Sequence, residues 1–363
     1  MAGLYIHIPF CHSKCVYCDF YSTPDRRRVT ELVSVIGREL KARRQEIGDG
    51  RFETIYVGGG TPSVLCPSDF RALADFLPLD GVSEFTLEVN PEDVTSGNVA
   101  LWTEAGINRI SMGIQTFDDD QLRAIGRRHS ASDAIAALEC IRSGGITNIS
   151  CDLIYGLPGQ GLGSWKRSLD RLLELGLPHF SAYSLSYEPG TVLYRRMERG
   201  LVIPASDDLV AEMYDYLIQS AAGSYEHYEI SNFAMSGRYS KHNSAYWNGT
   251  PYLGLGPGAH SCDKDGVRRI NPPDLKKYLA GVPSFYVEEE TRTERINDVI
   301  ITGLRTSYGL DTKALPSDAA TEVMKNARNY IRSGRLLRKD DRLVIPERYW
   351  IIADAIMRDL LVE

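Results

Sequence analysis

The sequence has 363 residues, and its apolar content of 43% and charged content of 25% are typical of a globular protein with a sizeable core. A net charge of −7 argues against a protein that coats nucleic acid, and no apolar run approaches the ~18 residues of a membrane-spanning helix. Seven cysteines, an odd number, and an N-terminus without a signal-peptide pattern favour a protein of the reducing cytoplasm.

Six strand-and-helix units follow one another along the first half of the chain. An apolar run at residues 4–10 leads into a cysteine-rich loop and a helix predicted at 25–47. Further strands are predicted at 52–57, 84–90, 108–115, 149–156 and 180–185, with helices at about 67–76, 93–105, 118–126, 131–143 and 164–174. This alternation predicts a parallel sheet with right-handed helical crossovers that curls into a full or partial barrel.

The second half of the chain is less regular. A helix is predicted at 206–222, and a stretch rich in Tyr, Gly and Asn follows it. From residue 290 onward, helices at 294–306, 316–333 and 347–361 surround a hairpin at 336–345, which indicates a small winged-helix-like module. Acidic and basic residues are mixed there without a basic face, so a packing or partner role is favoured over DNA binding.

The chain is therefore predicted to be organised in three segments. Residues 1–187 form the barrel, 188–285 extend it, and 286–363 form the C-terminal module. Because functional residues collect where parallel strands end, one set should face a common mouth. That set comprises the cysteine loop, Gly58 to Thr61, Glu88, Gln115, Asp152 and residues 184–187.

Three cysteines fall within eight residues, with the spacing CxxxCxxC: Cys11, Cys15 and Cys18. Cysteine thiolates on a short loop hold iron–sulfur clusters, and a four-iron cluster with three protein thiolates leaves one iron open for chemistry. Tetrahedral zinc is the alternative, with His7 or His12 as a fourth ligand. A disulfide is less favoured because nothing marks the chain as secreted.

The turn Gly58-Gly59-Gly60-Thr61-Pro62 follows a predicted strand. Glycines allow a ligand to approach the backbone closely and can point successive amides at it. The turn matches neither the Walker loop nor the dinucleotide-binding fingerprint. A simple tight turn is therefore an equally good interpretation.

Four polar residues follow in order at successive strand ends or shortly after them. Glu88 and Asp152 are suited to accept hydrogen bonds from ribose hydroxyls or an amine, while Gln115 and Arg127 suit the polar end of an amino-acid-like ligand. Each taken alone is more often an ordinary cap or a salt-bridge partner. Their regular order along the chain favours a shared site.

The motifs YIHIPFCxxxCxxCDF, GGGTP, EVNP, GIQTF, GRRH and DLIYGLPGQ resemble those of the radical SAM enzymes. More narrowly, the chain resembles the branch that contains oxygen-independent coproporphyrinogen III oxidase and the heme chaperone HemW, from about residue 3 to the end. The resemblance implies an incomplete (β/α)6 barrel with a smaller C-terminal domain. It implies a [4Fe–4S] cluster on Cys11, Cys15 and Cys18, with S-adenosylmethionine (SAM) chelating the fourth iron. It also implies a SAM site lined by Tyr5, Tyr17, Gly59, Gly60, Thr61, Glu88, Gln115, Arg127, Asp152 and Ser186.

The chemistry implied by this resemblance is electron transfer from the reduced cluster into the SAM sulfonium, which gives methionine and a 5′-deoxyadenosyl radical. The cofactors supply that chemistry, while the protein supplies orientation and a dry pocket. An electron donor such as a flavodoxin or ferredoxin is implied as a partner.

Two departures from the oxidase pattern point to the chaperones. The oxidases carry CxxxCxxCxC, whereas Phe20 takes the last position here, and they have a long segment before the cysteines where this sequence has ten residues. The HNxxYW signature of the chaperones is present from His242 to Trp247. An imidazole is a common axial ligand of heme iron, and Tyr and Trp offer flat apolar surface.

His242 is therefore expected to be the heme ligand, with His260 as the second choice. The alternative for His242 is a hydrogen-bonded structural histidine beside a core Tyr–Trp pair. The expected function is heme binding and transfer to an apo-hemoprotein acceptor, possibly a respiratory cytochrome. The alternatives are anaerobic oxidative decarboxylation of coproporphyrinogen III, and a binding protein that has lost SAM cleavage.

Overall fold

The computed structural model of the chain describes residues 2–281 and 285–363. In this part of the chain, twelve strands form one sheet, and its centre consists of six parallel strands in sequence order. These strands are β1 (Ala2–Ile8), β2 (Phe52–Gly59), β3 (Glu84–Val89), β4 (Arg109–Gln115), β5 (Asn148–Tyr155) and β6 (His179–Ser184). All six predicted strands are confirmed.

Helices cross over between consecutive strands. They are α1 (Val29–Arg43), α2 (Pro67–Ala74), α3 (Ser96–Glu104), α4 (Asp119–Ala124), α5 (Ala131–Ser143) and α6 (Leu162–Glu174). The first helix begins four residues later than predicted. The Asp25 carboxylate accepts a hydrogen bond from the Arg27 amide there, which favours a turn before the helix.

Successive residues of the central strands face opposite sides of the sheet. On β1, Leu4, Ile6 and Ile8 pack against the helices and are fully buried. The other side of the strands is polar, and the register aligns one row across five strands. This row is Tyr5, Tyr56, Thr86, Arg109 and Asn148. The helix-facing layer is therefore the hydrophobic core, while the barrel interior is lined by polar side chains.

Both edges of the barrel are extended rather than joined, so the barrel is incomplete. The extending strands are β7 (Glu226–Glu229), β8 (Asn232–Ala234), β9 (Tyr252–Leu255), β10 (His260–Cys262), β11 (Arg268–Ile270) and β12 (Tyr286–Glu288). Strand β8 pairs antiparallel with β6, and β9 pairs parallel with β1. The helices among them are α7 (Val192–Glu198), α8 (Asp207–Ala221), α9 (Lys241–Trp247) and α10 (Leu275–Leu279).

The C-terminal region forms the predicted winged-helix-like module. It contains α11 (Arg292–Leu304), β13 (Leu310–Asp311), α12 (Ser317–Asn326), α13 (Arg328–Arg332), β14 (Leu337–Lys339), β15 (Arg342–Val344) and α14 (Ala353–Leu360). Its small sheet has the order β13-β15-β14. The division of the chain at residues 187 and 285 stays a prediction. Within the described ranges, none of the helices combines the length and apolar character needed to cross a membrane.

Candidate functional site

The cysteine loop lies at the carboxyl ends of the parallel strands, directly after β1. It is anchored on two sides: the Val16 amide donates to the Ile125 carbonyl at 3.2 Å, and the Leu193 amide donates to the Val16 carbonyl at 2.8 Å. Cys11 is buried, whereas Cys15 and Cys18 are half-buried. Strand β1, the loop before Gly126 and helix α7 therefore position the three thiols together.

The two histidines considered as zinc ligands are both committed elsewhere. The His7 ring contacts the Tyr5 hydroxyl at 3.0 Å and the Tyr21 carbonyl at 2.9 Å. The His12 Nε2 atom lies 2.7 Å from Asp93 Oδ1. Over residues 2–281 and 285–363, no three His, Cys, Asp or Glu side chains converge on one ion. A four-iron cluster does not require the three thiolates to converge on one ion, because each thiolate binds a different iron. The three cysteines therefore fit a cluster better than they fit zinc.

Burial keeps two of these thiols, those of Cys11 and Cys18, protonated until a metal binds. It raises the pKa of Cys11 and raises the pKa of Cys18 to about 11. A coordinating thiol is deprotonated by the positive charge of its metal. Cluster assembly at this loop therefore releases protons.

A chain of hydrogen bonds joins two of the cysteines through strand-end residues. The Thr61 hydroxyl donates to Cys11 Sγ at 3.5 Å and accepts from the Asn90 amide group at 3.2 Å. Arg127 donates to Asn90 Oδ1 at 2.8 Å and lies 3.8 Å from Cys15 Sγ. Asn90 was missed as a site residue, although its position directly after β3, in the EVNP motif, could have identified it.

The glycine turn packs against β1, and its amides are already used. The amides of Gly60 and Thr61 donate to the carbonyls of Ile8 and Phe10 at 2.8 and 2.7 Å, and the Gly59 amide donates to Glu88 at 3.0 Å. The expectation that these amides point at a ligand is therefore wrong. A Cβ at Gly60 would lie 2.7 Å from the Phe10 carbonyl oxygen, which explains the requirement for glycine.

Glu88 lies one residue before the end of β3 and faces the barrel interior. It accepts hydrogen bonds from the Tyr56 hydroxyl at 2.7 Å and from the Gly59 amide. Burial raises its pKa to about 7, and these two hydrogen bonds oppose that rise. Its charge therefore changes near neutral pH, which is typical of functional carboxylates.

Asp152 lies in the middle of β5, in register with Gly113 and Ser181. The prediction that it ends a strand was wrong, because β5 continues through Tyr155. Burial raises the pKa of Asp152, while hydrogen bonding to Ser181 and the charge of Arg109 oppose the rise. Asp152 is thus an interior residue below the mouth.

Gln115 ends β4 in a strained conformation. Its φ of 71° is in the left-handed region, which non-glycine residues rarely adopt, and the register shifts between Gly113 and Gln115. Such strain costs about 1–3 kcal/mol and is concentrated at functional sites. The Arg127 guanidinium donates to the Gly113 carbonyl at 2.6 Å beside it, but its buried Nε atom has no partner.

The remaining predicted SAM residues occupy different depths. Tyr17 packs in the cysteine loop near a small cluster of Ile125, Ile154 and Leu157. Tyr5 faces the barrel interior in the polar row described above, and its ring centroid lies 6.1 Å from that of Tyr56. The third, Ser186, is exposed in the loop after β6. Their contact with SAM stays a prediction.

His242 lies below the barrel interior, away from the mouth. It is 1% exposed, and its two ring nitrogens contact the Thr54 hydroxyl at 2.8 Å and the Tyr246 hydroxyl at 3.0 Å. Its ring stacks on Tyr56 at 5.1 Å. The Glu84 carboxylate accepts hydrogen bonds from the first amides of α9, which fixes this helix in place. Both ring nitrogens are thus hydrogen-bonded within the protein, and coordination of iron would require breaking the bond to Thr54 or the bond to Tyr246.

The chain is similar to proteins of a known family. A family model described as the radical SAM superfamily matches residues 5–172. The chain is 38% identical over 325 residues to the heme chaperone HemW of Bacillus subtilis (strain 168), and the match covers 86% of each protein. It is 33% identical over 379 residues to HemW of Mycobacterium tuberculosis (strain ATCC 25618 / H37Rv), covering 99% of this chain and 94% of the relative.

The fold also matches a solved structure along its whole length. Coproporphyrinogen III oxidase (HemN) from Escherichia coli, a radical SAM enzyme, superposes with a TM-score of 0.85. The match covers 99% of this chain and 90% of the oxidase at 23% sequence identity, so the likeness concerns the fold. The predicted incomplete barrel with its C-terminal module is confirmed.

Proposed function

The chain belongs to the radical SAM superfamily, in the family that contains the HemW heme chaperones, and from this premise we propose that it binds heme and transfers it to an acceptor protein. The observation that supports the proposal most strongly is the 38% identity to a heme chaperone over 86% of both chains. The HNxxYW signature from His242 to Trp247 adds to it. The acceptor is proposed to be an apo-hemoprotein, such as a respiratory cytochrome, and the site of action the cytoplasm.

The [4Fe–4S] cluster and SAM that the superfamily implies fit the mouth of the barrel. Cys11, Cys15 and Cys18 would hold the cluster, and the bonds through Thr61, Asn90 and Arg127 would hold the thiolates in place. When bound, these groups supply one-electron cleavage of the SAM sulfonium. An electron donor such as a flavodoxin or ferredoxin would be needed for that cleavage.

The residues around the cluster loop offer SAM a matching set of polar groups. Because the turn amides are used internally, the turn would meet the SAM ammonium with its carbonyl oxygens. Glu88 and Asp152 would accept hydrogen bonds from hydroxyls once ionised. Gln115 is held in a strained conformation whose energy a bound ligand can offset.

The proposal is tested with anaerobically reconstituted protein. Heme is titrated in and followed by its absorption spectrum, and the loaded protein is then mixed with a heme-free respiratory cytochrome. Apomyoglobin serves as a nonspecific heme scavenger. We expect saturable heme binding and faster transfer to the cytochrome than free heme gives. Failure of the intact protein to bind heme would contradict the proposal.

Coproporphyrinogen III oxidation is the second candidate, favoured by the match to the oxidase fold at a TM-score of 0.85. The same preparation is given coproporphyrinogen III with SAM and a reductant. We expect no vinyl product, because Phe20 replaces the last cysteine of the oxidase pattern. Accumulation of protoporphyrinogen IX would establish the oxidase instead.

A further inference from the structure

A run of positive charge crosses the C-terminal module. From Val323 to Lys339 the sequence has six lysines and arginines and no acidic residue. These cations are Lys325, Arg328, Arg332, Arg335, Arg338 and Lys339. The chain as a whole has a net charge of −7, so the positive charge is local. The mixed sequence of the module indicated no basic face, but the folded helices form one.

The first three of these cations line a groove of about 590 Å³ on α12 and α13. The two helices meet at Ala327, which is fully buried, and the Ile331 amide donates to the Ala327 carbonyl at 2.9 Å. The residues that line the groove are Ala320, Thr321, Met324, Lys325, Arg328, Ile331 and Arg332. They recur mostly at intervals of three or four positions, as residues on one helical face do. All the charged residues among them are basic.

The cations of the groove have no counter-ion in the part of the chain that the structure describes. Elsewhere in the module, Arg292 is paired with Asp318 at 2.9 Å. In contrast, Lys325, Arg328 and Arg332 are exposed, and none of them forms an ion pair within 4.0 Å with a residue in the ranges 2–281 and 285–363. Their charge is therefore available to a partner.

The floor of the groove is apolar. Met324 and Ile331 are half-buried, and they pack against the main hydrophobic core while they line the groove. A methionine side chain is flexible and can adapt to the shape of a partner. An apolar strip flanked by cations matches an amphipathic helix that carries acidic residues beside its apolar face.

Nucleic acid and anionic membranes match this groove less well. Helix α13 has five residues and is about 7.5 Å long, so it offers little to a major groove. A phosphate backbone also has nothing apolar to place against Met324 and Ile331. Because both of these side chains are half-buried in a concave surface, they are not placed to insert into a bilayer. An acidic protein segment uses the cations and the apolar floor together.

We propose that this surface, here called the basic groove, is the docking site for an acidic amphipathic helix of the acceptor protein. The inference rests on the proposed transfer of heme to an acceptor. Transfer requires the two proteins to meet and separate again, and complementary charge speeds such encounters and selects the partner.

The test uses the full-length protein and a synthetic helical peptide that carries Glu on both sides of a Leu face. A second peptide has Gln in place of each Glu. The double variant Arg328→Glu with Arg332→Glu is here called the groove variant. The double variant Lys276→Glu with Lys277→Glu, on α10, is the control with the same change in net charge. Fluorescence anisotropy measures peptide binding, and thermal melting reports folding.

The wild type is expected to bind the Glu peptide more tightly than the Gln peptide. The groove variant should lose about tenfold in affinity for the Glu peptide at an unchanged melting temperature. The control variant should bind as the wild type does. Higher ionic strength should weaken binding to the wild type, because salt screens exposed charges. Met324→Ala should weaken the binding of both peptides, since it removes part of the apolar floor.

Heme transfer connects the groove with the acceptor. The heme-loaded groove variant is expected to transfer heme to the heme-free respiratory cytochrome more slowly than the wild type does. Its heme affinity and its rate of heme loss to apomyoglobin should be unchanged. An unchanged rate of transfer to the cytochrome would contradict docking of the acceptor at this groove.

Equal binding of the Glu peptide by the wild type and the groove variant would overturn the inference, as would equal binding of the Glu and Gln peptides by the wild type. A short DNA duplex, or vesicles that contain phosphatidylglycerol, are offered in parallel. Tighter binding of either one, lost in the groove variant, would overturn the inference in favour of nucleic acid or a membrane surface. Failure of the wild type to bind heme would instead remove the proposed function, and peptide binding does not depend on that result.

Discussion

Two buried arginines show how differently the two sides of the sheet are built. Arg43, on the helix side, is 3% exposed and binds Glu39 at 2.7 Å and Glu46 at 3.1 Å, with Ser261 as a further partner. Arg109, in the barrel interior, is 1% exposed, and its Nε atom has no hydrogen-bond partner. Two neighbours in its row, Thr86 and Asn148, also have an unpartnered buried oxygen.

Buried polar groups are normally hydrogen-bonded, so each unpaired one requires an explanation. On the helix side, the guanidinium of Arg43 is satisfied by the protein, and its role is structural. In the interior, the unpartnered atoms of Arg109, Thr86 and Asn148 lie below Glu88 and Asp152. A ligand or an ordered water molecule is needed there to form the missing hydrogen bonds. The contrast indicates that the helix side determines stability and that the interior and its mouth determine binding.

The largest effect is expected at the mouth. Cys15→Ala should abolish iron binding, because a cluster held by three thiolates cannot lose one without losing its attachment. Iron and sulfide analysis after anaerobic reconstitution measures this loss. Cys140→Ala, which removes a half-buried thiol on α5, is the matched control and should retain the full iron content. A Cys15→Ala protein with the full iron content would break the assignment of the loop.

The two buried arginines, Arg43 and Arg109, give the second prediction. Arg43→Met should destabilise the protein by about 3 kcal/mol, because it removes the guanidinium that the half-buried carboxylates of Glu39 and Glu46 share. Arg109→Met should lower the free energy of unfolding by less than about 1 kcal/mol, or raise it, since the substitution removes a buried charge without a close partner. Urea unfolding measures both changes.

The affinity for SAM sharpens this comparison. Arg109→Met should weaken SAM binding, because the charge of Arg109 favours the ionised forms of Glu88 and Asp152. Arg109→Lys keeps the charge and should retain most of the affinity. Equal losses of stability in Arg109→Met and Arg43→Met would show that Arg109 is as structural as Arg43.

Glu88 gives a prediction for pH. Its folded pKa of about 7 lies above the ordinary value of 4.5 for a Glu carboxyl, so the folded state binds the proton more tightly. The resulting stability is fully present below about pH 4.5 and is lost as the pH rises to about 7. Because Glu88 is half-buried, we expect a loss of roughly 1–2 kcal/mol between pH 5 and pH 8.

Variants separate the contribution of Glu88 from that of a second carboxyl that titrates in this range. Glu229 also has a pKa of about 7, raised by burial. Glu88→Gln should remove the part of the pH dependence of the free energy of unfolding that is due to Glu88. Glu229→Gln should remove only the part that is due to Glu229. Denaturant unfolding across this pH range measures each slope. An unchanged slope in Glu88→Gln would show that Glu88 is ionised throughout.

The smallest effect is expected at Gln115. Gln115→Gly should raise the free energy of unfolding by about 1 kcal/mol, because glycine adopts a φ of 71° without strain. The same variant should bind SAM more weakly, since the amide is lost. Gln115→Asn, which tolerates this conformation and keeps an amide, is the control. A loss of stability in Gln115→Gly would show that the side chain supports the fold.

The central strands were predictable because each is an apolar run with a helix on either side. The extending strands were not, because β8 and β10 to β12 are only three residues long and depend on pairing with distant parts of the chain. The same limit applied to His242. Its sequence motif suggested a heme ligand, whereas one of its ring nitrogens is hydrogen-bonded to Thr54, 188 residues away.

Sequence order predicted some of the residues that meet at the mouth, although Asp152 lies below it and Asn90 was missed. Thr61 and Arg127, chosen from their places after strands, are connected to Cys11 and Cys15 through Asn90. The use of the Gly59 to Thr61 amides could not be predicted, because it depends on the register of β1 against β2. Local pattern thus predicted that Thr61 and Arg127 lie near the cysteines, while long-range pairing determined which of the backbone amides there are already hydrogen-bonded.

The most direct test of the account is the composition and SAM response of the metal site in the anaerobically reconstituted protein. The account predicts about four iron and four sulfide per chain, and an electron paramagnetic resonance spectrum of the reduced cluster that changes when SAM is added. Bound zinc without sulfide, or a spectrum that does not respond to SAM, would contradict it.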